Sequence, residues 1–283
     1  MKPTILLTGS TGFIGSKLLV YMKKKKIKIY DLLRYPNKRK KYKHYHPIIF
    51  KCNSELESKL KKININTVIN CATHYSQKED SSSLIKMINA NITFATLIIN
   101  NTACKIEKFI NFGSMMEFNV KKKNPINIYA ITKIFYEKIL NYFKKINKDL
   151  KIYNIKIYET FGDNDNRKKI IPTIVDSYKN NRTFKLHSSQ IKMNFVDINN
   201  VIKFIDKILY KNVKQGSYCL RNKKFTNINT MLNIINSKLK KKIKVKTLNL
   251  KTRNQINKKI YNLKNVFSEN NIIEFLFKQF KNT

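Results

Sequence analysis

The sequence predicts an α/β fold, a doubly wound parallel sheet followed by a smaller C-terminal lobe, and three observations carry that reading. Short apolar runs alternate with helical patterns over roughly the first 160 residues, the signature of βαβ units. A glycine-spaced turn, Gly9-Ser10-Thr11-Gly12-Phe13-Ile14-Gly15, stands directly between the first strand pattern and the first helix pattern. After Phe161 the alternation loosens into Gly162-Asp163-Asn164-Asp165-Asn166-Arg167, a polar, turn-rich segment. The expected domains are therefore 1–161 and 162–283.

Taken in order, Ile5–Leu7 reads as a strand and Gly15 to about Lys24 as a helix. Ile27–Leu33, Ile48–Phe50 and Thr67–Cys71 read as further strands. A long helix is expected from about Ser83 to Thr102, then a strand over Lys108–Phe112 and a helix over Ile128–Phe143. Lys151–Tyr158 closes the sheet, and helices are expected at Ile170–Tyr178 and Asn199–Tyr210.

Composition narrows the function classes. The chain has 283 residues, 42% of them apolar, enough for a full core. No signal-peptide pattern opens it, and no apolar run is expected to reach the roughly 20 residues that span a bilayer. Cys52, Cys71, Cys104 and Cys219 are scattered without metal-ligand spacing, so no metal is expected and free thiols in a cytoplasmic setting are. The net charge of +41 raises the possibility of a polyanion partner. Only six of the 58 basic residues are arginine, however, and the lysines are spread along the whole chain. The runs Lys23–Lys26 and Lys38–Lys43 fall at an expected helix end and loop, which argues for solvated faces and against specific nucleic-acid recognition.

Three of the six glycines lie at positions 9, 12 and 15. Gly9 permits the tight turn, Gly12 lets the backbone approach a pyrophosphate, and Gly15 lets the helix pack close. With Thr11, Phe13 and Ile14 this loop is a candidate dinucleotide site of Rossmann type. A second constellation is Tyr129-Ala130-Ile131-Thr132-Lys133 within an expected helix. Residues four apart share a face, so the Lys133 ammonium is expected to lower the Tyr129 pKa and poise the phenol for proton exchange.

The glycine spacing G-x-x-G-x-x-G, Tyr129-x-x-x-Lys133, and a serine closing the preceding strand in Phe112-Gly113-Ser114 together resemble the extended short-chain dehydrogenase/reductase family of nucleotide-sugar enzymes. The order along the chain also matches, with Asn91 in the long helix between the loop and Ser114. The resemblance implies that Tyr129 is the acid–base residue and that Lys133 modulates its pKa and anchors the cofactor ribose. It also implies that Ser114 bonds the reacting sugar oxygen, that Asn91 and Ala72 lie on the cofactor side, and that the protein is a homodimer.

The cofactor turns on the second strand. Asp31 lies 16 residues after Gly15 and is expected inside the strand, with Leu33 at its tip and Arg34 next. An arginine without an acid suits a 2′-phosphate, so NADP(H) is favoured with NAD(H) the alternative, and Lys38 and Arg39 could add charge.

Family members that dehydrate the sugar carry Asp and Glu directly after the serine. Here Met115 and Met116 stand there, and Glu117 is expected to face away by strand alternation. Direct 4-keto reduction is the expected chemistry, with C4 epimerisation and a non-catalytic relative as alternatives. Ala72-Thr73-His74-Tyr75, Ile131-Thr132-Lys133, Gly162-Asp163 with Ile171-Pro172, and Gln190-Ile191-Lys192 resemble reductases of the CDP-abequose and CDP-paratose synthase type. That likeness implies a CDP- or GDP-linked sugar in surface-polysaccharide (O-antigen) synthesis, contacted by Thr73, His74, Ser114, Met115, Lys192 and Arg253. The R-D-F segment of those proteins reads here Lys192-Met193-Asn194-Phe195, with Lys192 the substitute for the arginine.

Overall fold

The structure is a computed structural model and describes residues 2–35, 43–78, 80–118, 127–250, 263–268 and 271–281. Lys38, Arg39 and Arg253 lie outside the described residues. The first half runs β1 (Thr4–Thr8), α1 (Phe13–Lys24), β2 (Lys28–Leu33), β3 (Tyr45–Ile49), α2 (Asn53–Lys62) and β4 (Thr67–Asn70). It continues through α3 (Ser81–Ile88), a π turn (Asn89–Thr93), α4 (Phe94–Thr102), β5 (Lys108–Ser114), a 3₁₀ turn (Met115–Phe118), α5 (Ile128–Ile146) and β6 (Lys151–Ile157). Then come β7 (Glu159–Phe161), α6 (Ile170–Lys179), β8 (Phe184–Leu186), β9 (Lys192–Met193), β10 (Phe195–Asp197) and α7 (Ile198–Tyr210). The chain ends through β11 (Gly216–Asn222), β12 (Thr226–Asn227), α8 (Ile228–Lys238), β13 (Val245–Thr247), β14 (Lys264–Ser268) and α9 (Ile272–Lys281).

Eight strands form one sheet in the order β14-β11-β6-β5-β4-β1-β2-β3. The neighbours β1 and β2, β1 and β4, β2 and β3, and β4 and β5 are parallel. The order reverses direction between β1 and β4, the switch point at which such sheets bind ligands. Ile5, Leu6, Leu7, Val68, Ile69, Phe109 and Ile110 are fully buried, because helices cover both faces of a parallel sheet. The register Leu7↔Asp31 and Thr8↔Leu32 puts Asp31 inside β2 and leaves Leu33 as its last residue, as expected.

Two compact units emerge: Met1–Lys156 with Ile202–Cys219 and Asn262–Lys264, and Ile157–Val201 with Leu220–Tyr261 and Asn265–Thr283. A single crossing at 161 therefore simplifies the path. The chain returns to the first unit because β11 takes the sheet position beside β6. The second unit has its own core, including Phe161, Ile174, Phe195, Ile235 and Leu276.

Several elements differ from expectation. α2 lacks a strong apolar pattern and is held by Leu56 and Leu60, a buried i,i+4 pair. β3 begins at Tyr45, three residues early, and the expected strand to Tyr158 ends at Ile157. The long helix is interrupted by the π turn that contains Asn91. It also corrects the expectation about apolar runs, since Ser81–Thr102 is long and apolar enough to cross a membrane by length and composition. Its polar Asn91 is buried, and the Ala95 carbonyl accepts the Tyr136 hydroxyl of α5 at 2.9 Å, as in a core helix.

Candidate functional site

The glycine loop leaves β1 with Gly9 in the left-handed region, φ 67°. A β-carbon there would lie 2.5 Å from the Ala72 nitrogen, so Gly9 packs on the backbone that follows β4. At Gly15 a β-carbon would lie 2.2 Å from the Gly9 carbonyl oxygen. Both positions exclude any side chain, which is why the turn carries glycine at both. Gly12 is the N-cap of α1 and has no side-chain cap bond, and its own nitrogen donates to Gly9 O at 3.0 Å. A helix start without a side-chain cap, exposed at Thr11 and Gly12, fits a dinucleotide pyrophosphate. Phe13 and Ile14 are half-buried in the first turn of α1.

At the tip of β2, Arg34 is exposed directly after Leu33. Asp31 is fully buried and accepts the Tyr45 hydroxyl at 2.7 Å.

Ser114 ends β5 and Tyr129 lies in the first turn of α5, whose N-cap Asn127 accepts from Ala130 N at 2.9 Å. The hydroxyls of Thr73 and Ser114 bond the Tyr129 phenol. Tyr75 packs edge-on to its ring at 5.0 Å. Lys133 is buried, lies 5.8 Å from the Tyr129 ring centre, and donates to the Phe112 carbonyl at 3.1 Å. The spacing thus brings the two residues together as expected, but the electrostatic expectation is corrected. Burial pushes the Tyr129 phenol up to about 12, with the Thr73 and Ser114 hydrogen bonds opposing it. Burial also pulls Lys133 down to about 8, and Glu117 opposes that fall. Desolvation is the largest cause of the shift at both groups.

Asn91 is a support. Its Oδ1 accepts Thr73 Oγ1 at 2.9 Å and His74 N at 2.8 Å, while its Nδ2 donates to His74 O at 2.9 Å and Thr132 Oγ1 at 3.0 Å. These bonds fill the amide's capacity, so Asn91 clamps the Thr73–His74 segment to α5. Met115 is buried, its sulfur 3.5 Å from Cys219, so it packs into the first unit. Lys192 lies exposed on β9 of the second unit, where the neighbouring Asn194 is buried and locks the Asn222 backbone.

Glu117 does not face away. β5 ends at Ser114 and a 3₁₀ turn follows, so strand alternation no longer applies. Glu117 folds back, its Oε1 accepting the Ser114 amide at 2.6 Å and its Oε2 pairing with Lys156. Lys156 also bonds Glu137 at 2.9 Å. Glu137 in turn accepts from Asn154 at 3.0 Å, part of a buried row in which Thr8 bonds Asn70, Asn70 bonds Asn111 and Asn111 bonds Asn154. Sequence reasoning missed this charged cluster. Its signal was a lysine inside an apolar strand and a glutamate one helical turn after Lys133.

A serine, a tyrosine and a lysine thus stand together at the sheet's carboxyl edge, beyond the glycine loop. The chain belongs to the NAD dependent epimerase/dehydratase family, whose model matches residues 5–220. It is 32% identical to a CDP-abequose synthase of Yersinia pseudotuberculosis over 214 residues, 71% of each chain. A CDP-abequose synthase of Salmonella typhimurium is 26% identical over 229 residues, 77% of this chain and 74% of the relative. Among solved structures, a UDP-glucose 4-epimerase of Thermus thermophilus bound to NAD superposes with a TM-score of 0.77 at 14% identity, covering 98% of this chain and 99% of that one.

Proposed function

We propose that the chain reduces a nucleotide-linked 4-keto-deoxy sugar with NADPH, in the synthesis of a surface-polysaccharide sugar. The observation that carries this reading is the Tyr129 phenol, held protonated between Ser114 and Thr73, with Met115 and Met116 where a dehydrating acid and base would be needed. The likeness to CDP-abequose synthases supports a CDP-linked substrate.

NADPH supplies the hydride when bound. The glycine loop and the start of α1 hold its pyrophosphate, Arg34 meets the 2′-phosphate, and Lys133 holds the ribose. Ser114 orients the sugar carbonyl, and Tyr129 gives its phenolic proton to the C4 oxygen. A protonated phenol is the form this direction requires, which the raised pKa secures. C4 epimerisation uses the same residues and is the second reading, favoured by the epimerases among similar structures. The working form is read as a cytoplasmic homodimer, its interface on α3 and α5, where Ile85, Ile88, Ile131 and Phe135 are exposed.

The test is NADPH oxidation by the purified protein with CDP- and GDP-linked 4-keto-deoxy sugars, followed by product stereochemistry. Turnover with a 4-keto sugar and none with the 4-hydroxy epimers supports reduction. Interconversion of epimers without net cofactor consumption overturns it in favour of epimerisation.

A further inference from the structure

The last three residues of β5 are each tied to a charged group. The Phe112 carbonyl takes Lys133 at 3.1 Å. Gly113 leaves room for Lys156 and Glu117, since a β-carbon there would lie 2.6 Å from Lys156 Cδ and 2.8 Å from Glu117 Oε1. The Ser114 amide donates to Glu117 at 2.6 Å. The side chains of Glu117 and Lys156 are both 1% exposed. A buried ion pair of this kind is a costly way to fill space, because two well-packed apolar residues serve equally well. Its position beneath the site therefore asks for another role.

We propose that the Glu117–Lys156 pair is a positioning device in which the Glu117 carboxylate fixes the Ser114 amide and favours the Lys133 ammonium, while the Lys156 cation offsets that carboxylate. The proposal rests on the reading of Tyr129 and Lys133 as proton donor and cofactor anchor. Around these two groups stand Glu117 on the 3₁₀ turn, Lys156 on β6, Cys71 after β4, Tyr75 in the loop beyond it, and Glu137 on α5. Burial lowers Lys133, Glu117 raises it, and Lys156 lowers it. The two partners of the pair therefore act on Lys133 with opposite sign.

The test measures NADPH binding by fluorescence and kcat/KM with a CDP-linked 4-keto-deoxy sugar, both across pH 6 to 10. In Glu117→Gln the alkaline limb of both profiles moves down by about one pH unit, because a neighbouring anion is lost. In Lys156→Gln it moves up by a similar amount. The double variant, with neither charge, returns towards the wild-type profile. Limbs that stay in place in both single variants, or move the same way, overturn the proposal. If Glu117→Gln does not fold, the upward shift in Lys156→Gln decides alone. If the wild type reduces no 4-keto sugar, the function proposed above falls, while the NADPH-binding profiles still decide this inference.

Discussion

The glycine loop after β1 and the turn after β5 both close the carboxyl edge of one sheet, yet different forces hold them. At the loop, backbone lies against backbone: Gly9 sits on Ala72, and Gly15 sits on Gly9. No charged side chain among those described is needed to shape it. At the end of β5, three consecutive residues are fixed by Lys133, Lys156 and Glu117, which come from α5, β6 and the 3₁₀ turn. The first end depends on what is absent from the chain, and the second on charges that must balance. The loop should therefore tolerate pH and fail on any added atom, whereas the β5 end should respond to pH and tolerate small steric change.

The largest effect expected is at the charged end. Tyr129→Phe removes only the phenolic hydroxyl, so turnover falls about 10²–10⁴-fold while NADPH binding is retained. Steady-state kinetics beside fluorescence titration checks it, and activity within twofold of wild type would remove Tyr129 from its role. Next comes the cofactor preference at the β2 tip. Loss of one charge-assisted contact of roughly 1.5–3 kcal/mol in Arg34→Ala should erase a ten- to hundredfold preference for NADPH over NADH in kcat/KM. A wild-type preference for NADH would show that Arg34 does not meet a phosphate, although Asp31 is already engaged by Tyr45.

Two glycine variants set the ends against each other. In Gly15→Ala the new carbon meets backbone at 2.2 Å, and overpacking of this kind costs about 1–3 kcal/mol. Thermal melting should fall by several degrees, and NADPH affinity should fall at every pH. In Gly113→Ala the new carbon meets the far ends of Lys156 and Glu117, which can shift, so about 1 kcal/mol is expected. Its effect should instead grow with pH, because the displaced Glu117 carboxylate no longer supports a Lys133 ammonium that burial already brings down to about 8. Equal pH dependence in the two variants would dissolve the contrast.

The same contrast explains what the sequence made legible. Glycines 9, 12 and 15 and the strand–turn–helix around them are local in the chain, so their spacing was enough. Tyr129 and Lys133 share one helix, and their adjacency followed from helical geometry. The direction of their pKa shifts did not, because burial depends on which elements close over them. Glu117 was misplaced because a 3₁₀ turn replaces strand alternation after Ser114, and no residue there announces it. Lys156 and Glu137 meet only through tertiary packing. Asn91 was found as a residue of interest, but its π turn and its saturated amide appear only in three dimensions.

The asparagine row has a polarity. Ala72 N donates to the Thr8 hydroxyl, Thr8 to Asn70, Asn70 to Asn111, Asn111 to Asn154, and Asn154 to Glu137. Every amide therefore points the same way, and none can rotate alone without setting two oxygens or two NH₂ groups against each other. The row behaves as a line of aligned dipoles whose orientation is chosen at one end by a carboxylate that can only accept. The edge of the glycine loop and the underside of the charged cluster are thus terminals of one oriented line, and the sign of the charge on Glu137 is written into the hydroxyl orientation of Thr8, on the far side of β4 and β5.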